Sequence, residues 1–553
     1  MDNQRIFLGI ALLFVLFLIW QTWIEEQSAL NRPPVAETST STTTGVAPAV
    51  PGDAPAPPPT QDVPPVTGTA PGPVLQSSEG ERIRVTTDQF EAEISTVGGD
   101  LRIARLRDYP VAINEPNTPF TLLNDISSDF FVAQSGLVST GDAPAPNHHA
   151  VYHTPQTEYR LAEGQDELLV PLTWSEDGIT VTKTYRFMRD RFAFDVTHAL
   201  ENDSGAPWSG SQYRQLQRIP PASDGDSKFV HTYTGGVISS PEKKYEKVTF
   251  DDMAELPLDR QIQGGWSAMI QHYFVAAQIP PAQDLNRYYT RAVGSNQYVL
   301  GMTGPLTAVA DGARIEFSSQ MFVGPKIQSR LEVLAPGLEL TVDYGWLTII
   351  AQPLFWLLNA IHSLIGNWGW SIVLLTVLIK AVFFKLSETS YRSMANMRKL
   401  QPRMKSIREK FAHDKQKMNQ AMMELYKKEK INPMGGCLPI VVQIPVFIAL
   451  YWMLLESVEL RQAPFMLWIQ DLSAKDPYFV LPVVMGISMF IQQRLNPAPP
   501  DPIQAKVMMA LPLVFTIFFL WFPSGLVVYW VVNNVLSIAQ QYVITKRVEA
   551  GTD

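Results

Sequence analysis

Beyond residue 346 the chain carries five apolar runs, at about 367–385, 434–455, 478–493, 507–522 and 526–545. Their apolar density makes all five candidate membrane spans and constrains the second half of the chain more than any other feature. A sixth run, Ile6 to Ile24, is also long enough to span. Gln21-Thr22-Trp23-Ile24-Glu25 closes it, not a small-residue cleavage site. It reads as an uncleaved signal-anchor within residues 1–27, the alternative being a cleaved signal peptide. The region between is soluble in character. The expected class is a polytopic α-helical membrane protein of six spans with one large soluble insert.

Charge sets the orientation. The segment 385–430 holds thirteen Lys and Arg against five Asp and Glu, a net +8. The rest of the chain must then carry −17 to reach the overall −9. A short basic block between two apolar runs belongs on the cytoplasmic side. Residues 25–366 then lie outside and both chain ends inside, with Lys546-Arg547 in a cytoplasmic tail, 546–553. The one cysteine, Cys437, lies in an apolar run, so no intramolecular disulfide can form.

Residues 28–80 are rich in Pro, Thr, Ala and Gly, without an aromatic residue, and are expected to be a disordered linker. Residues 81–345 are expected to be all-β. Alternation is plain at Ile83–Thr87, Phe90–Ile94, Ile179–Phe187 and Phe192–Val196. Turn signals recur at Gly98-Gly99, Asn202-Asp203-Ser204-Gly205, Gly235-Gly236 and Gly264-Gly265. At this length the domain would be a large sandwich. Its histidines, His148, His149, His153, His198, His231 and His272, have no metal-ligand spacing, and no catalytic site is assigned there.

Leu347–Ile365 mixes apolar residues with Gln352, Asn359, His362 and Ser363. This segment, within 346–366, is expected to lie along the membrane as an interfacial helix. A direct span is the alternative and would upset the parity of the topology. Residues 367–545 then form a five-helix core that includes a cytoplasmic hairpin at 386–432. Its two helices are expected at about 388–411 and 415–430, with Ala412-His413-Asp414 as the turn. Met394, Met397, Met404, Met418, Met422 and Met423 dot this hairpin. They either adapt to varied apolar partners or pack the two helices together. Its basic face suits anionic lipid or ribosomal RNA, or is merely solvated.

Lys380 stands near the end of the first core run. A cation at membrane depth costs roughly 2.5–3.5 kcal/mol on insertion scales, so it should face protein or water. No Asp or Glu lies inside another late run to neutralise it; Glu456 is only at a run's end. That implies a hydrated cavity open to one side. The alternative is a lysine that snorkels to a headgroup. Thr376 is one turn from Lys380. In the last run Asn533, Ser537 and Gln541 recur at four-residue spacing beside Gln540, and Gln443 lies one turn before Phe447. Polar faces on several helices suggest a wet groove, or else hydrogen bonds that glue a bundle. No nucleophile–base pair, phosphate loop or metal cluster is present in this half. A transporter would usually pair such a lysine with acids and repeated halves, and neither is seen.

Several motifs carry a resemblance: Met1-Asp2-Asn3-Gln4-Arg5, Asn432-Pro433-Met434-Gly435-Gly436-Cys437-Leu438-Pro439, Ser457-Val458-Glu459-Leu460-Arg461-Gln462-Ala463-Pro464-Phe465 and Leu520-Trp521-Phe522-Pro523-Ser524-Gly525-Leu526. With these the whole chain resembles the YidC family, the membrane protein insertases of Gram-negative bacteria. The resemblance implies a non-enzymatic insertase and chaperone of the inner membrane, without cofactor. It implies a groove open to cytoplasm and lipid and closed outside, with one basic residue at the position of Lys380. Thr376, Phe447, Met485, Phe518 and Trp530 match positions lining the family's groove and substrate slide. Nascent membrane proteins, the ribosome, the Sec translocon and membrane lipids are the implied partners; DNA is not. The soluble domain resembles the family's periplasmic β-supersandwich, related to sugar mutarotases, onto which no epimerase site maps.

Overall fold

The computed structural model describes residues 80–221, 232–294, 296–411, 414–429, 438–496 and 502–550. The expected N-terminal anchor, the linker up to residue 79, His231, and residues 432–437 of the second motif lie outside these. The described residues divide into two compact units, 396–411 with 414–429 in one and the remainder in the other.

In the larger unit, alternation builds two sheets. The first runs from neighbour to neighbour as Asp259–Gln263, Leu285–Val293, Gln297–Thr303, Trp208–Arg218, Phe131–Ser139, Leu101–Pro110, Phe90–Ser95, Arg82–Thr86 and Glu158–Arg160. Thr307–Val309 and Pro119–Leu123 add to it, making eleven strands. The second has eight: Glu246–Val248, Gly235–Ser239, Trp266–Gln271, Phe274–Ile279, Ala313–Pro325, Ala193–Asn202, Ile179–Met188 and Glu167–Glu176. Nearly every pair is antiparallel; Arg82–Thr86 and Glu158–Arg160 are parallel. The turns need glycine where foreseen, because Gly98, Gly99, Gly264 and Gly265 all take positive φ.

The apolar faces of the sheets meet in one core. Phe90 contacts Phe192 and Phe194 edge-on, at 5.8 and 6.0 Å. Each such pair contributes roughly 0.5–1.5 kcal/mol beyond its buried area. Strand Ile179–Met188 shows the register: Ile179, Val181, Tyr185 and Phe187 point inward and Thr180, Thr182 and Thr184 toward the half-exposed side. Lys183 falls on the inward face and is fully buried. Its Nζ donates to Gly98 O at 3.0 Å and Ser135 O at 2.8 Å, and stands 3.7 Å from Asp100 Oδ1. The buried carboxylate and carbonyls replace the water the ammonium has lost.

The helical part begins with Thr348–Ile365, which Gly366 ends in the left-handed conformation. Asn367 then caps Trp368–Val382, its side chain accepting from Trp370 N. After a break at Phe383 the chain turns by 67° into Phe384–Lys399. Leu438–Glu456, Val480–Leu495, Pro502–Phe518 and the long Ser524–Ala550 complete this part. Five of these helices, the Thr348, Trp368, Leu438, Val480 and Ser524 ones, share an apolar core that includes Ala351, Leu375, Met453, Met485 and Val527. The turn after Phe522 is tight, and the loop at 471–474 satisfies the first groups of the last helix. Ser524 N donates to Ala474 O and Gly525 N to Leu472 O.

Among the described residues one helix is long and apolar enough to cross a membrane, Gly345–Ile365, the segment expected to lie along the surface. It is apolar on two sides: Ala351, Phe355, Leu358 and Ile361 are buried, while Ile349, Trp356 and Leu364 are exposed. The pair Trp368–Val382 and Phe384–Lys399 passes only if counted as one bent crossing. Val442–Glu456, Val480–Leu495 and Lys506–Trp521 are apolar but shorter than a full crossing.

In the smaller unit, Gln401–Lys410 and Lys415–Lys428 form the hairpin. The first hairpin helix, expected unbroken to 411, instead stops at Lys399 and restarts at Gln401. Pro402 is the reason, since its ring clashes with the preceding turn and it has no N–H to give. Asp414 caps the second helix by accepting from Lys417 N at 3.0 Å, and Arg403 Nη1 donates to Glu429 Oε1 at 2.6 Å.

Candidate functional site

A cavity of about 260 Å³ opens among the helices of the larger unit. Four helix faces and one helix end line it. Lys380 comes from Trp368–Val382, Gln443 and Phe447 from Leu438–Glu456, and Trp530, Asn533 and Ser537 from the last helix. Six of the nine residues singled out in the sequence are therefore brought together.

Lys380 is 9% exposed and its Nζ donates to Ser537 Oγ at 2.7 Å. Ser537 donates in turn to Asn533 O, one turn back, at 2.6 Å. The hydroxyl has one proton, so its lone pair is what meets the ammonium. Among the described residues no carboxylate pairs with Lys380. Glu456, the one acid at the end of an apolar run, is occupied elsewhere. It accepts from Lys326 Nζ at 3.0 Å, both side chains being almost fully buried. A guanidinium could meet two acceptors in a plane, whereas the ammonium carries three separate donors, one of which meets Ser537 Oγ.

Phe447 and Trp530 meet edge-on at 4.2 Å and form the apolar side of the cavity. The adjacent Tyr529 also lines it, at 6% exposure. Phe519 is 5.4 Å from Trp530 and continues the aromatic row to Phe522 and Phe518. Phe518 itself is outside the cavity and 39% exposed. Met485 is fully buried in the apolar core and does not reach the cavity. Thr376 is also buried, with its hydroxyl donated to Ile372 O at 2.7 Å inside its own helix.

Sequence reasoning missed Ser387, Ser390, Tyr391, Gln492 and Asn496, which add to the polar lining. Ser387 and Ser390 follow the bend at Phe383, in what the sequence presents as the start of the basic loop. Their spacing of three is a helix-face signal that could have been read. Gln541, expected on the groove face, donates instead to Asn496 Oδ1 at 3.0 Å. Gln540 donates to Phe384 O at 3.2 Å. The set of groups is one buried cation, hydroxyls and amides facing aromatic rings. Among the described residues no cluster of three His, Cys, Asp or Glu could hold a metal ion. Such a lining can hydrogen-bond polar backbone and attract a carboxylate, while its aromatic side takes up apolar side chains.

Two family models match the chain: the YidC periplasmic domain over residues 82–357 and the 60Kd inner membrane protein over 360–551. The chain is 52% identical to the membrane protein insertase YidC of Thioalkalivibrio sulfidiphilus, covering 99% of each. It is also 52% identical to the same protein of Methylococcus capsulatus, covering 100% of this chain and 99% of that one. Among solved structures it is similar to a crystal structure of an active YidC insertase with the first transmembrane domain resolved. That likeness has 18% identity and a TM-score of 0.39, over 85% of this chain and 93% of the other.

Proposed function

Because this chain belongs to the YidC family of membrane protein insertases, we propose that it inserts client proteins into the inner membrane through the cavity at Lys380. It is a protein of the inner membrane, with a periplasmic all-β domain, that acts as an insertase on other membrane proteins. The chain crosses the membrane six times, both ends are cytoplasmic and the sandwich is periplasmic. The domains follow the boundaries 1–27, 28–80, 81–345, 346–366, 367–545 and 546–553, with the hairpin 386–432 on the cytoplasmic side.

The cavity is a hydrated groove open to the cytoplasm. Lys380, Gln443, Asn533 and Ser537 make its polar wall, with Thr376 behind Lys380. An incoming apolar segment lies against Phe447, Trp530 and Phe518, with Met485 packed behind this surface. Its polar, often acidic, flank visits the region of Lys380 before release outward. A polar groove shortens the apolar path and lowers the cost of carrying unsatisfied backbone across. Burial of the segment in lipid drives the step, together with the membrane potential, about 2.3 kcal/mol per charge per 100 mV. No bond of the client is broken, so no catalytic residue is required. The basic hairpin faces anionic lipid and the ribosome, and the protein works alone or beside the Sec translocon.

The observation that supports this most is the buried Lys380, held by a hydroxyl and not by a carboxylate. A lysine paired with an acid would be electrically closed; this one keeps its positive charge available to a client. The test is insertion of a small single-span protein into liposomes containing only the purified chain, with Lys380→Ala beside it. Chain-dependent insertion that weakens in the variant upholds the reading. Insertion no better than in empty liposomes, with the chain folded, overturns it.

A further inference from the structure

Lys326 follows the strand Ala313–Pro325, and its own N–H donates to Tyr273 O at 2.9 Å, which ties its backbone to the turn at the end of the eight-stranded sheet. Its side chain leaves the sandwich and meets Glu456, the last residue of the helix Leu438–Glu456, at 3.0 Å. The side chains are 1% and 4% exposed. One residue earlier on that helix, Leu455 O is 2.9 Å from His272 Nε2, in the turn between strands Trp266–Gln271 and Phe274–Ile279. The loop after the helix is held by the other sheet. Arg461 Nη2 donates to Pro110 O at 2.7 Å, and Gln462 Nε2 donates to the same oxygen at 2.9 Å. The Arg461 guanidinium also lies over the rings of Phe120 and Phe274, at 6.0 and 5.6 Å. These two rings come from different sheets and stack at 4.2 Å. The end of one helix is thus seated on both sheets at once.

A buried ion pair is a poor device for stability alone, since apolar residues of similar size often do as well. What it supplies is direction, because two desolvated charges tolerate little slip. The helix it seats carries Phe447 nine residues back from Glu456 and Gln443 thirteen back, about 14 and 20 Å along the axis. A shift of one residue would rise about 1.5 Å and turn the helix by roughly 100°, taking both side chains off the cavity. Pro445 interrupts the hydrogen-bond ladder between the two. Phe447 lies on the clamped side and should follow the seat more closely than Gln443.

We propose that Lys326 and Glu456 are positioning residues through which the β sandwich sets the rotation and height of the helix Leu438–Glu456. The consequence for insertion rests on the cavity being the client groove. The sandwich then has a task in insertion, to hold one wall of the groove in register.

The experiment uses the full chain in liposomes, with Cys437→Ser and nitroxide labels replacing the exposed Val442 and Val535. Distances between the labels are read by electron resonance and insertion of a single-span client is timed in parallel. Lys326→Met and Glu456→Gln should each broaden the distance distribution and slow insertion by on the order of tenfold. The exchanged pair Lys326→Glu/Glu456→Lys should narrow it again and recover most of the rate. If the single variants do not fold, Lys326→Met/Glu456→Met leaves no orphan charge and should still broaden the distribution. A distribution as narrow as the parent's in the folded variants overturns the proposal. Broadening that the exchanged pair reverses, with an unchanged insertion rate throughout, upholds the positioning and removes the groove reading instead.

Discussion

Lys380 and Ser537 join the helices Trp368–Val382 and Ser524–Ala550 by one hydrogen bond of 2.7 Å, ammonium to hydroxyl. Ser537 spends its proton on Asn533 O, which turns its lone pair toward Lys380. The cation is thereby fixed at the cavity wall without losing its charge to an acid.

Reversing that charge should discriminate between clients. Lys380→Glu is expected to slow insertion of clients with acidic flanks by about tenfold or more, the scale of one close charge pair in a partly wet site. Clients with neutral flanks should lose much less. Timed insertion of a matched acidic and neutral pair checks this, and equal losses for both would count against an electrostatic role.

The buried Lys183 makes a structural prediction for the sandwich. Lys183→Met removes the donor to Gly98 O and Ser135 O and leaves Asp100 without its cation. Removing one partner of a buried pair costs about 3–5 kcal/mol. Limited proteolysis of the full chain should show the β domain cut at lower denaturant concentration. Lys183→Met/Asp100→Asn should recover part of the loss.

Glycine at position 486 has a packing reason. A Cβ there would have no room beside Thr516 Oγ1 on the neighbouring helix. Gly486→Ala should destabilise the helical part by about 1–3 kcal/mol, the usual cost of overpacking. Adding Thr516→Ala should return most of it, since the obstructing oxygen is gone. Thermal unfolding in detergent of the two variants against the parent gives the comparison.

Glu459 predicts a pH dependence. Burial pushes its carboxyl from 4.5 up to about 7. The folded protein therefore holds this proton where the unfolded chain has released it. The associated stability is complete below about pH 4.5 and is lost as pH rises through about 7. Glu459→Gln should flatten that part of the stability curve and gain about 1–2 kcal/mol on the parent at pH 8. Parallel curves for the two proteins between pH 5 and 8 would rule the effect out.

Much of the architecture is legible from side-chain periodicity. Ile179–Phe187 alternates because one face of its sheet is buried, and the structure has that strand with the expected faces. Lys183 breaks the pattern and could not be read, because its acceptors, Gly98 and Ser135, are distant in sequence. The hairpin turn at Asp414 is visible as a cap, whereas the break at Leu400 follows from Pro402, a residue open to inspection that the helical charge pattern hid.

For the candidate site, type and spacing pointed to Lys380, Gln443, Asn533 and Ser537, all of which line the cavity, since a charge or polar group in an apolar run stands out in one dimension. The same spacing placed Gln541 with them, although in the structure it turns to Asn496. A helix face spans about 100° and has neighbours on both sides, so periodicity narrows the choice without picking the partner. The sequence by itself determined the family, the β strands of the sandwich and a cation within an apolar run, because contiguous motifs and hydrophobic burial act through local pattern. Only the tertiary structure decided that Ser537 receives that cation and that Glu456 goes to Lys326 in the sandwich. Hydrogen bonds and ion pairs are short-ranged, and which groups come within 3 Å is settled by packing between segments far apart in the chain.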